Sequence, residues 1–433
     1  MHADKLSHQP QQPSPQQPDA SFYGLGIAPG LLRNLDKLKF TVPTPIQLRA
    51  IPIALEGKDL MGVAQTGTGK TLAFALPMLQ RLAQKPGRAL ILLPTRELAL
   101  QVNEVYQQFR HSQQIDTAVL IGGASMNLQL QQLRRNPRVI IATPGRLIDH
   151  LDQGTVRLNT VHTLVLDEAD RMLDMGFMPQ IERVLQGVPS DRQTMLFSAT
   201  MPEQIVKIAK NYMKLPVRTE IAPSGTTVDL VTQEVYIVAK DNKKKLLAKL
   251  LRQYTGTVLL FTRTKRGASL ITRDIIRMGH RAAEIHSGRS LRQRREALDG
   301  FKSGRHRILV ATDIASRGLD VQRIELVINY DLPDEPGNYV HRIGRTARAG
   351  HPGRAITLAM PDQGYDLKQI ELLIRAMIPV TEHPEVPSGK FFPSSGSSRG
   401  KQPFWKKKFT SGKETVVARR KRKSWQFEPK KHK

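Results

Sequence analysis

The chain has no cysteine among its 433 residues, and acidic side chains are scarce. The lack of cysteine excludes disulfide bonds, zinc sites with thiolate ligands and a thiol nucleophile, and it fits a reducing compartment. No stretch approaches the ~18 consecutive apolar residues that a membrane-spanning helix needs. The polar, Gln/Pro-rich start lacks the apolar core of a secretory signal. We therefore expect a cytoplasmic protein that does not span a membrane.

The scarcity of acidic residues leaves a large excess of positive charge. Lys and Arg number 66 against 38 Asp and Glu, which gives a formal net charge of +28. This excess indicates a polyanionic partner, either nucleic acid or an anionic membrane surface. The basic residues do not follow one long amphipathic helix, although this alone leaves the membrane surface open.

Short apolar runs of four or five residues alternate with helical stretches, first in LMGV, ALILL, VIIA, TLVL and TMLF and then in a second, similar series. Such runs are typical of buried parallel strands in doubly wound α/β domains. The predicted segments are a disordered lead (1–20), a first domain (21–214), an interdomain linker (215–229), a second domain (230–384) and a disordered basic tail (385–433).

A glycine-rich loop, AQTGTGKT (64–71), follows the LMGV strand and precedes an apolar helix. This order predicts a P-loop, because glycines let backbone N–H groups turn toward a phosphate at the start of a helix. Lys70 would reach the β- and γ-phosphates, and the Thr71 hydroxyl would bind Mg²⁺. The expected ATP-binding residues of the loop are Ala64, Gln65, Thr66, Gly67, Thr68, Gly69, Lys70 and Thr71, with Ala64 at a position where the general pattern has Gly.

A carboxylate motif, DEAD (167–170), follows the TLVL strand. An acid directly after a buried strand, in a chain with a P-loop, predicts that Asp167 holds Mg²⁺. Glu168 would then orient or deprotonate the attacking water. The alternative is a solvated acidic turn, which the strand context disfavours.

These motifs resemble the DEAD-box RNA helicases, and further segments of residues 21–384 agree with that family in order. They are PTPIQ (43–47), PTRELALQ (94–101), Gly122-Gly123, TPGR (143–146), SAT (198–200), LLFTRTK (259–265), ATDIASRGLD (311–320) and HRIGRTAR (341–348). The resemblance implies two tandem RecA-like domains that use ATP and Mg²⁺.

The resemblance also implies a role for individual residues. Phe40, Phe22 and Gln47 would recognise adenine, while Gly318 and Asp320 would lie at the nucleotide, with Asp320 touching the ribose. Arg345 and Arg348 would act as arginine fingers at the γ-phosphate. The residues expected to couple the domains are Asp170, Ser198, Thr200 and His341, and those expected to contact RNA are Thr95, Arg96, Gly123, Thr143, Arg146, Arg294 and Thr312.

Three positions depart from the family pattern. Lys39 and Ala347 stand where the family usually has Gly. Leu291 stands where a Gln-x-x-Arg element has Gln, so that RNA contact is either missing or supplied elsewhere, for example by Gln293.

The tail combines fifteen Lys and Arg, two Glu and both tryptophans within residues 388–433. One interpretation is a solubilising segment, and RRKRK (419–423) also resembles a nuclear localisation signal. We favour a flexible RNA tether, because Trp405 and Trp425 can stack on single-stranded bases while the cations bind phosphates.

The predicted function is an ATP-dependent RNA helicase that closes its two domains on RNA and separates short duplexes with little sequence specificity. An RNA clamp or annealing chaperone, in which hydrolysis times release, carries the same motifs. A DNA translocase is disfavoured by PTPIQ and by the literal DEAD. By analogy with bacterial members, ribosome assembly or RNA turnover are the expected settings.

Overall fold

The computed structural model describes residues 21–65, 67–221, 231–316, 324–347 and 353–392. The predicted disordered lead (1–20) and residues 393–433 of the predicted tail lie outside these residues. Residues 385–392, which were also predicted to be disordered, are instead packed on the second half, because Val386 is buried and the Gly389 N–H donates to the Ile237 carbonyl. Within the described ranges, no helix combines the length and apolar character needed to cross a bilayer.

The first half of the chain alternates strands and helices. Its elements are α1 (Pro29–Lys37), α2 (Pro45–Leu55), β1 (Leu60–Val63), α3 (Lys70–Gln84), β2 (Arg88–Leu92), α4 (Arg96–Gln113), β3 (Thr117–Leu120), α5 (Met126–Arg134), β4 (Val139–Ala142), α6 (Pro144–Asp152), β5 (Val161–Leu166), α7 (Ala169–Asp174), α8 (Met178–Gly187), β6 (Gln193–Ser198), α9 (Glu203–Tyr212) and β7 (Val217–Glu220).

The seven strands of this half form one parallel sheet in the order β3-β4-β2-β5-β6-β1-β7. Successive residues of each strand face opposite sides. In β2, Ile91 packs with α1 to α4, whereas Leu92 packs with α6, α8 and α9. Helices thus cover both faces, which is why the strands are apolar throughout.

The second half repeats this architecture. After a short 3₁₀ turn (Lys240–Asn242), its elements follow β8 (Val231–Ile237) as α10 (Lys243–Gln253), β9 (Val258–Phe261), α11 (Lys265–Arg277), β10 (Ala282–Ile285), α12 (Leu291–Lys302), β11 (Ile308–Ala311), α13 (Asp313–Ser316), β12 (Leu326–Asn329), α14 (Pro336–Ile343), β13 (Gly353–Ala359) and α15 (Gly364–Ile374). The six strands form a parallel sheet in the order β10-β11-β9-β12-β13-β8.

Two parallel α/β sheets confirm the predicted fold class. Strand β7 lies inside the segment predicted as a linker, 215–229. Because β7 pairs with β1, this part of the segment belongs to the first sheet. The domain boundaries themselves stay a prediction.

Candidate active site

Three neighbouring strands of the first sheet, β5, β6 and β1, carry the loops that hold the predicted ATP residues. Val63 pairs with Ser198, and Leu166 pairs with Leu196. The carboxyl ends of parallel strands meet at one edge, where ligands of such sheets bind. The P-loop, DEAD and SAT segments therefore share one site, although they are distant in sequence.

The P-loop turn depends on glycine at position 69. Gly69 has φ +89°, a left-handed conformation that residues with a side chain rarely adopt. A Cβ atom there would lie 2.5 Å from Nε2 of Gln47. Lys70 begins α3, is buried, and donates from Nζ to the Ala64 carbonyl at 3.0 Å. A phosphate group would compete with that carbonyl for the ammonium.

Gln47 joins α2 to the P-loop. Its Oε1 accepts from the Thr44 N–H at 2.9 Å, and its Nε2 donates to the Gly69 carbonyl at 2.9 Å. One amide N–H and one lone pair remain for adenine. This link to the P-loop was missed from the sequence, although Thr44 and Gln47 have the spacing of a helix capping box.

The two predicted adenine-side aromatics lie in different surroundings. Phe40 is 40% exposed, whereas Phe22 is only 2% exposed and packs in the core of the first half. Phe40 can therefore present a ring face to a ligand as it stands. The contact of Phe22 with ATP stays a prediction, and its observed surroundings are those of a core residue.

Asp167 and Glu168 are buried side by side after β5. Asp167 Oδ1 accepts from the Glu168 N–H at 2.9 Å. Burial, with the charge of Glu168 beside it, raises the pKa of Asp167 to about 6 although Lys70 acts against the shift. Burial also acts to raise the pKa of Glu168, but Arg171 and Lys70 outweigh it and hold that pKa below its usual value.

Arg171 was not singled out from the sequence, yet it is the ion-pair partner of the predicted base. Its Nη1 lies 2.6 Å from Oε2 of Glu168, and both side chains are almost fully buried. The sequence signal was the spacing of the two residues. Glu168 and Arg171 are three residues apart at the start of α7, which places a carboxylate and a guanidinium on one helix face.

The residues at this edge fit Mg²⁺ bound together with a nucleotide. In the described ranges, no group of three or more His, Asp and Glu forms a protein cage for a metal. Mg²⁺ instead commonly takes one or two carboxylates plus phosphate oxygens. Asp167 is a buried carboxylate whose pKa is raised by burial, and a divalent cation beside it would compensate its charge.

Asp170 ties the DEAD segment to the SAT segment. Its Oδ2 accepts from the Thr200 N–H and Oγ1, both at 2.9 Å, and its backbone N–H donates to Ser198 Oγ at 3.2 Å. Burial acts to raise the pKa of Asp170, but Lys70 and the Thr200 bond hold it below its usual value.

The second half contributes charged groups to the same cluster. Burial, with Arg171 adding to it, lowers the pKa of His341 to about 4, while Asp170 acts in the opposite sense. Arg345 is buried, and its charge acts on Glu168 and on His341. The structure therefore brings groups of α14 and its following turn to the acids of the first half.

A cavity of about 400 Å³ brings together most of the predicted RNA contacts. Those that line it are Thr95, Arg96, Thr143, Arg146 and Arg294. Gly123 allows this arrangement, because a Cβ atom there would lie 2.2 Å from Nη1 of Arg96. Thr312 directly follows β11 and is not among the lining residues.

The cavity is shared between the two halves through Arg294 of α12. Arg294 Nη2 lies 2.8 Å from Glu97 Oε1 of α4, with both side chains buried. Leu291 packs against the core of the first half, so the departure from Gln replaces an amide by an apolar contact. Glu97 was missed from the sequence; its only signal was the acid within PTRELALQ.

The other two departures occupy left-handed backbone. Lys39 has φ +60° and Ala347 has φ +54°, the region that favours glycine. The remaining predicted site residues, Thr66, Gly318, Asp320, Arg348, Trp405 and Trp425, lie outside the described residues.

Two family models match the chain. The DEAD/DEAH box helicase family model matches residues 44–208, and the helicase conserved C-terminal domain model matches residues 242–350. ATP-dependent rRNA helicase RRP3 of Eremothecium gossypii is 44% identical over 366 residues, 83% of this chain and 74% of that protein. ATP-dependent RNA helicase CshA of Listeria monocytogenes is 43% identical over 348 residues, 79% of this chain and 67% of that protein.

A solved structure shows the same architecture. S. cerevisiae Dbp5 bound to RNA and ADP BeF3 is similar with a TM-score of 0.75 and 31% identity, over 83% of this chain and 95% of that one. The predicted RecA-like fold and the predicted enzyme class, an RNA-dependent ATPase, are confirmed. The roles of individual residues stay predictions. The chain belongs to the DEAD-box family of RNA helicases.

Proposed function

We propose that ATP and RNA each close the two halves of this chain on each other, and that closure separates short RNA duplexes. The observation that carries the proposal is the division of both sites. Lys70, Asp167 and Glu168 belong to the first half, whereas from the second half the charge of Arg345 acts on Glu168 and His341 acts on Asp170.

The chemistry follows from this division. Lys70 would bind the transferred phosphate, and Glu168 would orient the attacking water. Arg345, together with Arg348, would stabilise the charge that develops on the phosphate. Mg²⁺ held by Asp167 and Thr71 would neutralise phosphate charge. An ATPase assembled from both halves hydrolyses only when they are closed.

RNA binding is divided in the same way. Arg96 and Arg146 line the cavity from the first half and Arg294 from the second. Because ATP and RNA would then favour the same closed state, each strengthens the binding of the other. Contacts from these side chains to the RNA backbone would carry little sequence specificity.

The first test separates ATPase chemistry from binding. Lys70→Ala should abolish RNA-stimulated ATP hydrolysis, while Lys58→Ala, at an exposed surface lysine paired with Glu56, should not. Arg345→Ala should retain ATP binding and lose turnover. Normal RNA-stimulated turnover in Lys70→Ala would refute the assignment.

The second test separates unwinding from clamping. A helicase displaces the strand of a short duplex with ATP and turns over many times, whereas a clamp or annealing chaperone holds RNA with a non-hydrolysable analogue and displaces no strand. Strand displacement measured with ATP and with that analogue distinguishes the two.

A third test compares RNA and DNA. If DNA stimulated ATP hydrolysis as strongly as RNA does, a DNA translocase would be favoured.

The biological setting is a further part of the proposal. RRP3 is named an rRNA helicase, and this name supports ribosome assembly as the setting, with RNA turnover as the alternative. Sequencing of the RNA that is crosslinked to the chain in cells tests both settings. Fractionation of the same cells tests the expected cytoplasmic location.

A further inference from the structure

Four strands form the outer edges of the two sheets: β3, β7, β8 and β10. Such edges expose backbone N–H and C=O groups that proteins usually cover. On β3, the Gln132 side chain accepts from the Val119 N–H at 2.9 Å. On β7, Arg49 Nη1 donates to the Glu220 carbonyl at 2.8 Å.

The edge of β8 is covered by the chain itself. The Val235 N–H donates to the Pro379 carbonyl at 2.9 Å, and the Gly389 N–H donates to the Ile237 carbonyl at 2.8 Å. Three of the four edges therefore have backbone groups satisfied by other parts of the chain.

The edge of β10 differs from these three. Along a parallel strand, alternate residues direct their N–H and C=O to the same neighbouring strand. The carbonyls of Arg281 and Ile285 accept from the Ile308 and Thr312 N–H groups of the β11 side. The backbone groups of Ala282 and Glu284 therefore face outward, and within the described ranges nothing hydrogen-bonds to them.

A groove of about 610 Å³ runs along this open edge, between α11 and α12. Its apolar lining includes Ile276, which is 52% exposed, together with Ala282 and Ala297. An apolar surface beside unpaired backbone groups suits the alternating side chains of an added strand.

Basic side chains also line the groove. They include Arg273, Arg289 and Arg305. The acids of the lining are neutralised, since Glu284 pairs with Arg289 and Glu296 pairs with Arg292. Among the described residues, Arg273 and Arg305 have no ion-pair partner, so the groove favours an anionic occupant.

We propose that this groove binds an extended acidic peptide segment of a partner protein, which adds to the second sheet as a strand beside β10. A peptide backbone alternates donors and acceptors, and so complements both the N–H and the C=O groups of Ala282 and Glu284. The phosphates of a nucleic acid accept hydrogen bonds but cannot donate one to the two outward carbonyls. The open edge therefore favours a peptide, although the arginines alone would suit either.

The probe is a fluorescein-labelled, eight-residue peptide that alternates valine and glutamate, titrated into the full chain and followed by anisotropy. Saturable binding is expected. The double variant R273E/R305E should weaken it by about tenfold or more, since both rim charges are reversed. The same peptide N-methylated at alternate residues, on the edge that would face β10, should also bind about tenfold more weakly.

A second titration uses a labelled octamer of uridylate. If the charge-reversed variant loses the RNA and not the peptide, the groove is an RNA surface and the proposal is wrong. Absence of peptide binding, or equal binding of the N-methylated peptide, overturns it as well. Because the N-methylated arm leaves the protein unchanged, misfolding of the variant cannot decide the result.

The groove is independent of the proposed ATP and RNA sites. Neither Arg273 nor Arg305 belongs to the cluster at the DEAD segment or lines the cavity at Arg294. The RNA-stimulated ATPase activity of R273E/R305E should therefore match that of the unchanged chain. The ATPase result for Lys70→Ala tests only the proposed function and leaves the groove proposal unaffected.

Discussion

Arg294 Nη2 lies 2.8 Å from Glu97 Oε1, and this buried ion pair joins α12 of the second half to α4 of the first. The same arginine lines the cavity predicted to bind RNA. Burial acts to lower the pKa of Arg294, and the Glu97 carboxylate beside it opposes the shift. The pair therefore stabilises a charged guanidinium at the boundary between the halves.

Glu97→Gln should weaken the coupling between ATP and RNA binding. The ion pair forms only when the halves meet, so its loss disfavours the closed state. We expect the gain in RNA affinity caused by an ATP analogue to fall by roughly fivefold, within the usual range of coupling free energies. RNA titrations with and without the analogue measure this.

The matched control is Glu104→Gln. Glu104 also lies on α4 and pairs with α12 through Arg295, but at 3.5 Å and with both side chains more than half exposed. Exposed pairs contribute little, so coupling should hardly change. Equal losses in both variants would contradict a special role for Glu97.

Gly69→Ala should disrupt nucleotide binding. The added Cβ would lie 2.5 Å from Gln47 Nε2, and the left-handed backbone at φ +89° disfavours any side chain by about 1–2 kcal/mol. Binding of a fluorescent ATP analogue should fall sharply. Gly145→Ala, where a Cβ meets nothing within 4 Å, is the control and should bind normally.

Lys39→Gly and Ala347→Gly should each stabilise the chain. Both residues have positive φ, and glycine removes a strain of about 1 kcal/mol at such a position. Thermal melting should shift upward for each variant. The control is Ala376→Gly, because Ala376 is exposed and does not have positive φ. Its melting temperature should fall or stay unchanged. A lower melting temperature for Lys39→Gly would show that left-handed backbone does not strain this position.

Acidification should destabilise the fold partly through His150. This ring is fully buried, and its Nε2 and Nδ1 lie 3.2 Å from Gln129 Oε1 and 2.8 Å from Thr155 Oγ1. Burial, with Arg146 adding to it, lowers the pKa of His150. The unfolded chain therefore takes up a proton on this ring at a higher pH than the folded chain. The contribution of His150 to the free energy of unfolding is present above about pH 6.5 and is lost as the pH falls below it.

His150→Gln removes this titration and keeps a neutral polar side chain. Its melting temperature should fall less between pH 7.5 and pH 5.5 than that of the unchanged chain, even if it melts lower at both. An identical pH dependence in the two proteins would exclude His150 as a contributor.

Removal of the tail should weaken RNA binding without abolishing catalysis. A chain ending at Phe392 lacks both tryptophans and fourteen of the fifteen Lys and Arg of residues 388–433, and it keeps Gly389, which hydrogen-bonds to β8. The slope of log affinity against log salt should become shallower by about 0.7 for each lost phosphate contact on a single strand. ATPase at saturating RNA should persist, and an unchanged salt slope would refute the tether.

The sequence alone determined the sheet architecture and predicted where ATP would bind. Strand, glycine turn and helix are contiguous in AQTGTGKT, so Lys70 and Gly69 could be assigned to a phosphate site before the fold was known. Short apolar runs predicted buried parallel strands, because only strands covered on both faces are apolar at every position.

Tertiary structure decided what contiguous residues cannot encode. Glu97 and Arg294 are almost 200 residues apart and meet only because α4 and α12 pack together. Phe22 is an aromatic in a suggestive place by sequence, yet packing puts it in the core. Tertiary structure also decided the left-handed backbone at Lys39 and Ala347, because residue type alone does not determine φ. It decided the open edge of β10 as well, because residue type alone does not determine which strands pair.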